Sequence, residues 1–152
     1  MKAWTTLFVI GLFLTPAALA DDVDDVKAAV LRHYAALNAG DADAYIRSRA
    51  PQHSLFSGGG LLSRSTSLEE QQGAFKAGID AGLKRNVSAR HIDVQVYGNT
   101  AVATNYTIGT IARPDGSITQ VRVQRTAVLI KQGGQWKEVH QHRSRLNIAP
   151  PQ

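Results

Sequence analysis

The feature that most constrains this chain is a pair of alternating apolar runs joined by Gly133-Gly134. Before the glycines, Val121, Val123, Ala127 and Leu129 share one parity, with Arg125 among them. After them comes Trp136 to Ser144, in which His140, His142 and Ser144 fall on one parity and Val139, Gln141 and Arg143 on the other. Period-two patterns around a two-glycine turn predict a long antiparallel hairpin, because successive side chains of a strand point to opposite faces. One strand thus offers imidazoles to one side and a guanidinium to the other.

Upstream, the pattern is first helical and then strand-like. Val23, Val26, Val30, Tyr34 and Leu37 form a stripe at helical spacing, starting near Asp22 and closing at Gly40. Asp41 is placed to cap a short second helix through Ala44, Tyr45 and Ile46, ended by Pro51. His53 to Ser57 reads as a short strand, and Gly58-Gly59-Gly60 as a loop at a pocket mouth. Ser67-Leu-Glu-Glu70 is a capping-box sequence, followed by a helical face of Leu68, Phe75, Ile79 and Leu83. From Val87 the period becomes two, with turns at Gly98-Asn99 and Pro114-Asp-Gly116. The expectation is an α+β fold: three N-terminal helices packed on a strongly bent antiparallel sheet of about four strands.

Residues 1–20 read as a signal peptide, with Lys2, an apolar run from Leu7 to Leu14, and a small-residue cleavage pattern at Ala18-Leu-Ala20. The expected product is an exported protein, periplasmic or secreted, with one domain over residues 21–148 and a frayed tail at 149–152. No membrane association is expected after removal of that segment. About 130 residues then remain, enough for one core and no second catalytic domain. The absence of cysteine excludes thiol nucleophiles, iron–sulfur clusters and thiolate zinc sites. The formal charge of +5 is concentrated beyond Thr100, where Asp115 and Glu138 face seven Lys and Arg residues. Such a balance favours an anionic partner. Nucleic acid is not expected, because no aromatic residues interleave with the basic ones.

Asn38-Ala-Gly-Asp41, Ala44-Tyr45, Val94-x-Val96-x-Gly98, Pro114-Asp-Gly116, Arg125-Thr126-x-Val128 and Trp136 with Val139-His-x-His-x-Ser144 follow one another along the chain. In this order they resemble the nuclear-transport-factor-2-like superfamily, which includes SnoaL-like cyclases and ketosteroid isomerases and implies a cone-shaped α+β barrel. Within it the chain is most similar to the association domain of calcium/calmodulin-dependent protein kinase type II and its small bacterial relatives. The resemblance implies a deep pocket between sheet and helices, and a homodimer or higher homo-oligomer formed through the outer sheet face. It also implies that Trp136, His140, His142 and Ser144 belong to a structural motif, and that pocket arginines bind a small carboxylate. Arg143 occupies one such position; Ala127 replaces the other, and Arg125 on the same strand face compensates. The ligand-binding candidates are therefore Arg143, Arg125, Tyr34 and Tyr45, with a surface or interface ion pair to Asp93 or Glu138 as the competing reading for the arginines.

An enzymatic alternative, a cyclase, isomerase or dehydratase, needs a base. The carboxylate position of the isomerases falls on Ser57, which cannot abstract a carbon-bound proton unaided. His53 is then the candidate acid/base, with Tyr34 as hydrogen-bond donor. A third reading is a ligand-free assembly module with a filled cavity. No cofactor is expected, and no metal, since His140 and His142 lack a third ligand nearby.

Overall fold

The computed structural model describes residues 16–56, 64–65 and 67–146. The element order is α1 (Pro16–Ala39), α2 (Ala42–Arg47), β1 (Arg49–Phe56), β2 (Arg64–Ser65), α3 (Leu68–Asp80), β3 (Lys84–Tyr97), β4 (Thr100–Ala112), β5 (Ile118–Gln132) and β6 (Gln135–Arg145). The strands form one sheet in the order β2-β1-β6-β5-β4-β3. It is an α+β fold, but the sheet is open and mixed rather than closed and antiparallel, because β1 runs parallel to β6 and the edges β2 and β3 do not pair. The signal-peptide segment before Pro16, the Gly58–Gly60 loop and the tail at 149–152 lie outside the described residues. Among the described residues, no helix is long and apolar enough to cross a membrane.

Local signals account for most boundaries. Asp41 accepts a hydrogen bond from the Ala44 amide at 2.8 Å and starts α2. Ser67 and Glu70 cap α3 reciprocally. Gly133 and Gly134, at φ +55° and +75°, make the two-residue turn between β5 and β6, where Gln132 pairs with Gln135. Three expectations are corrected. Helix α1 begins at Pro16 rather than near Asp22. Helix α2 ends at Arg47 with Ser48 as its cap, and Pro51 instead sits in β1 where the register with β6 is broken. Helix α3 stops at Asp80, short of Leu83.

The core explains where space is left. Val26 and Val30 of α1 pack on Ala101, Ala103, Ala127, Leu129 and Trp136, and the alanines let the helix approach the sheet closely. Lys131 anchors this end by a 2.5 Å bond to Asp22. At the other end of α1, the Asn38 side chain bonds both the amide and the carbonyl of Val87 at 2.9 Å, fixing the helix to edge strand β3. Beneath that end, Gly109 of β4 has φ +152°, and a Cβ there would meet the Asn86 carbonyl at 2.0 Å. Only glycine fits this close strand approach. The cavity opens here, between the C-terminal half of α1 and strands β3 to β6.

Candidate ligand-binding site

The inner face of β5 carries Val121, Val123, Arg125, Ala127 and Leu129, as their shared parity requires. On β6 the parity changes. Val128 pairs with His140 while Leu129 pairs with Glu138, so Val139 is an extra residue. Such a bulge turns the residues before and after it to the same face. Trp136 and Glu138 point inward on one side of it, and Gln141 and Arg143 on the other. Arg125 exploits this: its NH2 bonds Glu138 and its Nε bonds Gln141 Oε1 at 3.1 Å. The second Glu138 oxygen accepts from His53 Nε2 at 2.9 Å.

All of these groups are buried, with Glu138 4% and Arg125 3% exposed. Burial alone would push the Glu138 carboxyl up. The Arg125 guanidinium, the hydrogen bond from His53 and the nearby Arg49 outweigh it and hold the group well below the usual carboxylate range. The cavity above encloses about 330 Å³. Its basic lining consists of Arg85, Arg125, Arg143 and Arg145, and no described lining residue is acidic. Arg125 and Arg143 are direct cross-strand partners on the same face. Two like charges so placed repel unless something lies between them. Arg125 NH1 and Arg143 Nε are sealed from solvent and have no hydrogen-bond partner among the described residues. The remaining lining includes apolar Leu37, Val87, Ile111, Val121 and Val123.

A family model for the SnoaL-like domain matches residues 26–148. The chain belongs to the SnoaL-like family. No curated protein sequence matches it. Among solved structures, this SnoaL-like domain is similar to a ketosteroid isomerase-like protein from Erwinia carotovora atroseptica, with TM-score 0.70 and 19% identity over 84% of this chain and 98% of that one. It is similar to a protein from Xanthomonas campestris described as a calcium/calmodulin-dependent protein kinase II association domain (TM-score 0.66, 21% identity, 82% and 88% covered). It is also similar to the association domain of that kinase from C. elegans (0.66, 20%, 86% and 99%). These likenesses carry the fold, and the chemistry must be read from the site.

The structure brings Tyr34, Arg125 and Arg143 together in the cavity wall. The ion-pair reading of Arg125 is right about Glu138 and wrong about its place, which is interior rather than surface. Tyr45 is not in the lining. It lies under the Arg49 guanidinium, at 4.1 Å from the ring centroid, and stacks on Phe75. His53 is not at a pocket mouth: it is 1% exposed and bonded to Glu138. Nor does it meet Tyr34, whose hydroxyl bonds Thr107 and accepts from Asn105 at 2.9 Å. On the opposite sheet face, His140 bonds Ser54 at 2.8 Å, His142 is exposed beside Phe56, and Ser144 is exposed opposite Gln124. Trp136 belongs to the core under α1. Among the described residues no three His, Asp or Glu side chains gather as metal ligands.

One cavity residue absent from the candidates drawn from the sequence is His33. It follows Val26 by seven and Val30 by three, so the helical stripe itself places it toward the sheet. It lines the cavity beside Tyr34, and burial, with Arg125, Arg49 and Arg143 reinforcing and Glu138 opposing, lowers its pKa from 6.5 to about 3.

Proposed function

We propose that this chain is an exported SnoaL-like protein that binds a small, partly apolar organic acid between α1 and the inner sheet face. The observation that carries this reading is the Arg125–Arg143 cross-strand pair. Its two guanidiniums share a wall with Arg85 and Arg145, and the nearby Glu138 carboxylate is already bonded to both Arg125 and His53. A carboxylate between the arginines relieves their repulsion, and the planar guanidinium fork favours carboxylate over other anions. Leu37, Val121 and Val123 then cover the apolar part of the acid. A volume at the lower end of the roughly 300–1,000 Å³ spanned by ligand sites suits a molecule of one ring. A cavity of this size between helix and sheet favours this reading over a pure assembly module. Self-association through the outer sheet face accompanies it, supported by the exposed Tyr106 and Ile108 on β4 and Ile118 on β5 and by the likeness to association domains.

Thermal unfolding against benzoate, phenylacetate and short aliphatic acids tests the proposal. A true ligand at 100 times its Kd stabilises the fold by about 2.7 kcal/mol, a rise in Tm of roughly 5–15 °C for a domain of this size. Arg143→Ala is expected to weaken that ligand about 10- to 100-fold, the equivalent of a charged hydrogen bond. No shift with any acid, or an equal shift in the variant, counts against the proposal.

A further inference from the structure

The arginines account for one end of a ligand. A second, independent feature lies on α1 and concerns an acceptor. His33 Nδ1 is 3.3 Å from the Ser48 hydroxyl, and that hydroxyl already donates its single hydrogen to the Tyr45 carbonyl at 2.7 Å. Ser48 Oγ can therefore only accept from the ring, and Nδ1 carries the hydrogen. In a neutral imidazole the other nitrogen, Nε2, then presents a lone pair. The ring is neutral because it is buried among Arg125, Arg49 and Arg143 with only Glu138 opposing them. Nε2 makes no hydrogen bond among the described residues.

The rest of the lining gives this nitrogen its meaning. Guanidiniums only donate. Gln141 Oε1 is taken by Arg125, and the Tyr34 and Thr107 hydroxyls are bonded to each other, with Asn105 donating to Tyr34. Among the described lining side chains, His33 Nε2 is thus the one acceptor without a partner. A buried acceptor left empty when a ligand displaces water is penalised by its full desolvation, whereas a ligand hydroxyl satisfies it.

We infer that His33 Nε2 is the specificity contact of the cavity, accepting a hydrogen bond from a hydroxyl group on the bound acid, so that the ligand class is the hydroxy acids rather than simple carboxylates. This inference rests on the anion-binding reading of the same cavity. It assigns His33 a contact with ligand, and it makes no demand on His53.

Calorimetric titration of the purified protein with matched pairs separates the two ideas: benzoate against 3- and 4-hydroxybenzoate, and phenylacetate against mandelate. At least one hydroxy acid is expected to bind about tenfold or more tightly than its parent. In His33→Asn, whose amide nitrogen replaces Nδ1 toward Ser48 but leaves nothing at Nε2, the ratio falls to near one. His33→Gln, whose amide oxygen reaches the Nε2 position, restores part of it. Parent acids that bind with no hydroxyl advantage in any pair overturn this inference and leave the anion cavity standing. A ratio that survives in His33→Asn also overturns it. Failure of every acid to bind removes both. Should the variants not fold, two-bond ¹H–¹⁵N spectra of the parent protein decide: the expected His33 signal is an unprotonated Nε2 that moves when the hydroxy acid is added, and a hydrogen on Nε2 contradicts the inference.

Discussion

Replacing Glu138 with alanine is expected to lower Tm by about 10–20 °C, the largest loss from any single side chain of the site. The variant leaves the Arg125 NH2 and His53 Nε2 groups without their acceptor in a part of the fold closed to water. Breaking a buried ion pair from one side costs about 3–5 kcal/mol, because the remaining charge keeps its desolvation penalty and loses its partner. The double variant Arg125→Met with Glu138→Leu is expected to recover much of that stability, since apolar replacement of both partners removes the penalty itself. It should also lose acid binding. Denaturant titration of the three proteins measures this, and a loss below about 1 kcal/mol in Glu138→Ala, the size of a surface pair, would show that Glu138 does not hold the network.

Acid is the second strong perturbation, and its direction follows from two buried groups. The His33 pKa in the folded chain, about 3, lies below its unfolded value of 6.5. Between those values the unfolded chain binds more protons, so stability is complete above pH 6.5 and is lost as pH falls toward 3. Glu138 is likewise lowered from 4.5, so its contribution is present above that pH and is lost below it. Stability should therefore fall by up to about 1.4 kcal/mol per pH unit between 6.5 and 4.5 on account of His33 alone, and more steeply below 4.5 as Glu138 joins. Urea unfolding from pH 7 to 4 checks this. His33→Asn should flatten the upper window and leave the steep lower one. A parent protein equally stable at pH 7 and 4.5 would contradict the burial of a neutral imidazole.

Much of this arrangement is legible in the order of residues along the chain. Gly133-Gly134 marks the hairpin because two positive-φ residues are what a tight turn needs, and the parity of Arg125 with Val121, Val123 and Leu129 places it inside. The shared parity of Gln141 and Arg143 also holds. What period-two reading misses is the extra residue at Val139, since a bulge leaves no compositional mark and yet turns Glu138 from the outer face to the inner one. That single residue converts a surface carboxylate into the partner of Arg125. Strand β1 is obscured for a related reason: its inward residues include Arg49 and His53, polar groups that burial makes tolerable only through partners distant in sequence, Gln71 and Glu138. Its parallel pairing with β6 is likewise a long-range contact. His33 is legible by helical spacing, but the hydrogen bond that fixes its tautomer depends on Ser48 at the far end of α2.

The most direct measurement is a crystal of the protein soaked in 4-bromobenzoate, with the bromine located by its anomalous scattering. One bromine is expected in the cavity against Leu37, Val121 and Val123, with the carboxylate bridging Arg125 and Arg143. An unchanged cavity, with bromine only at the surface or with the acid reversed so that its carboxylate avoids both arginines, would contradict it.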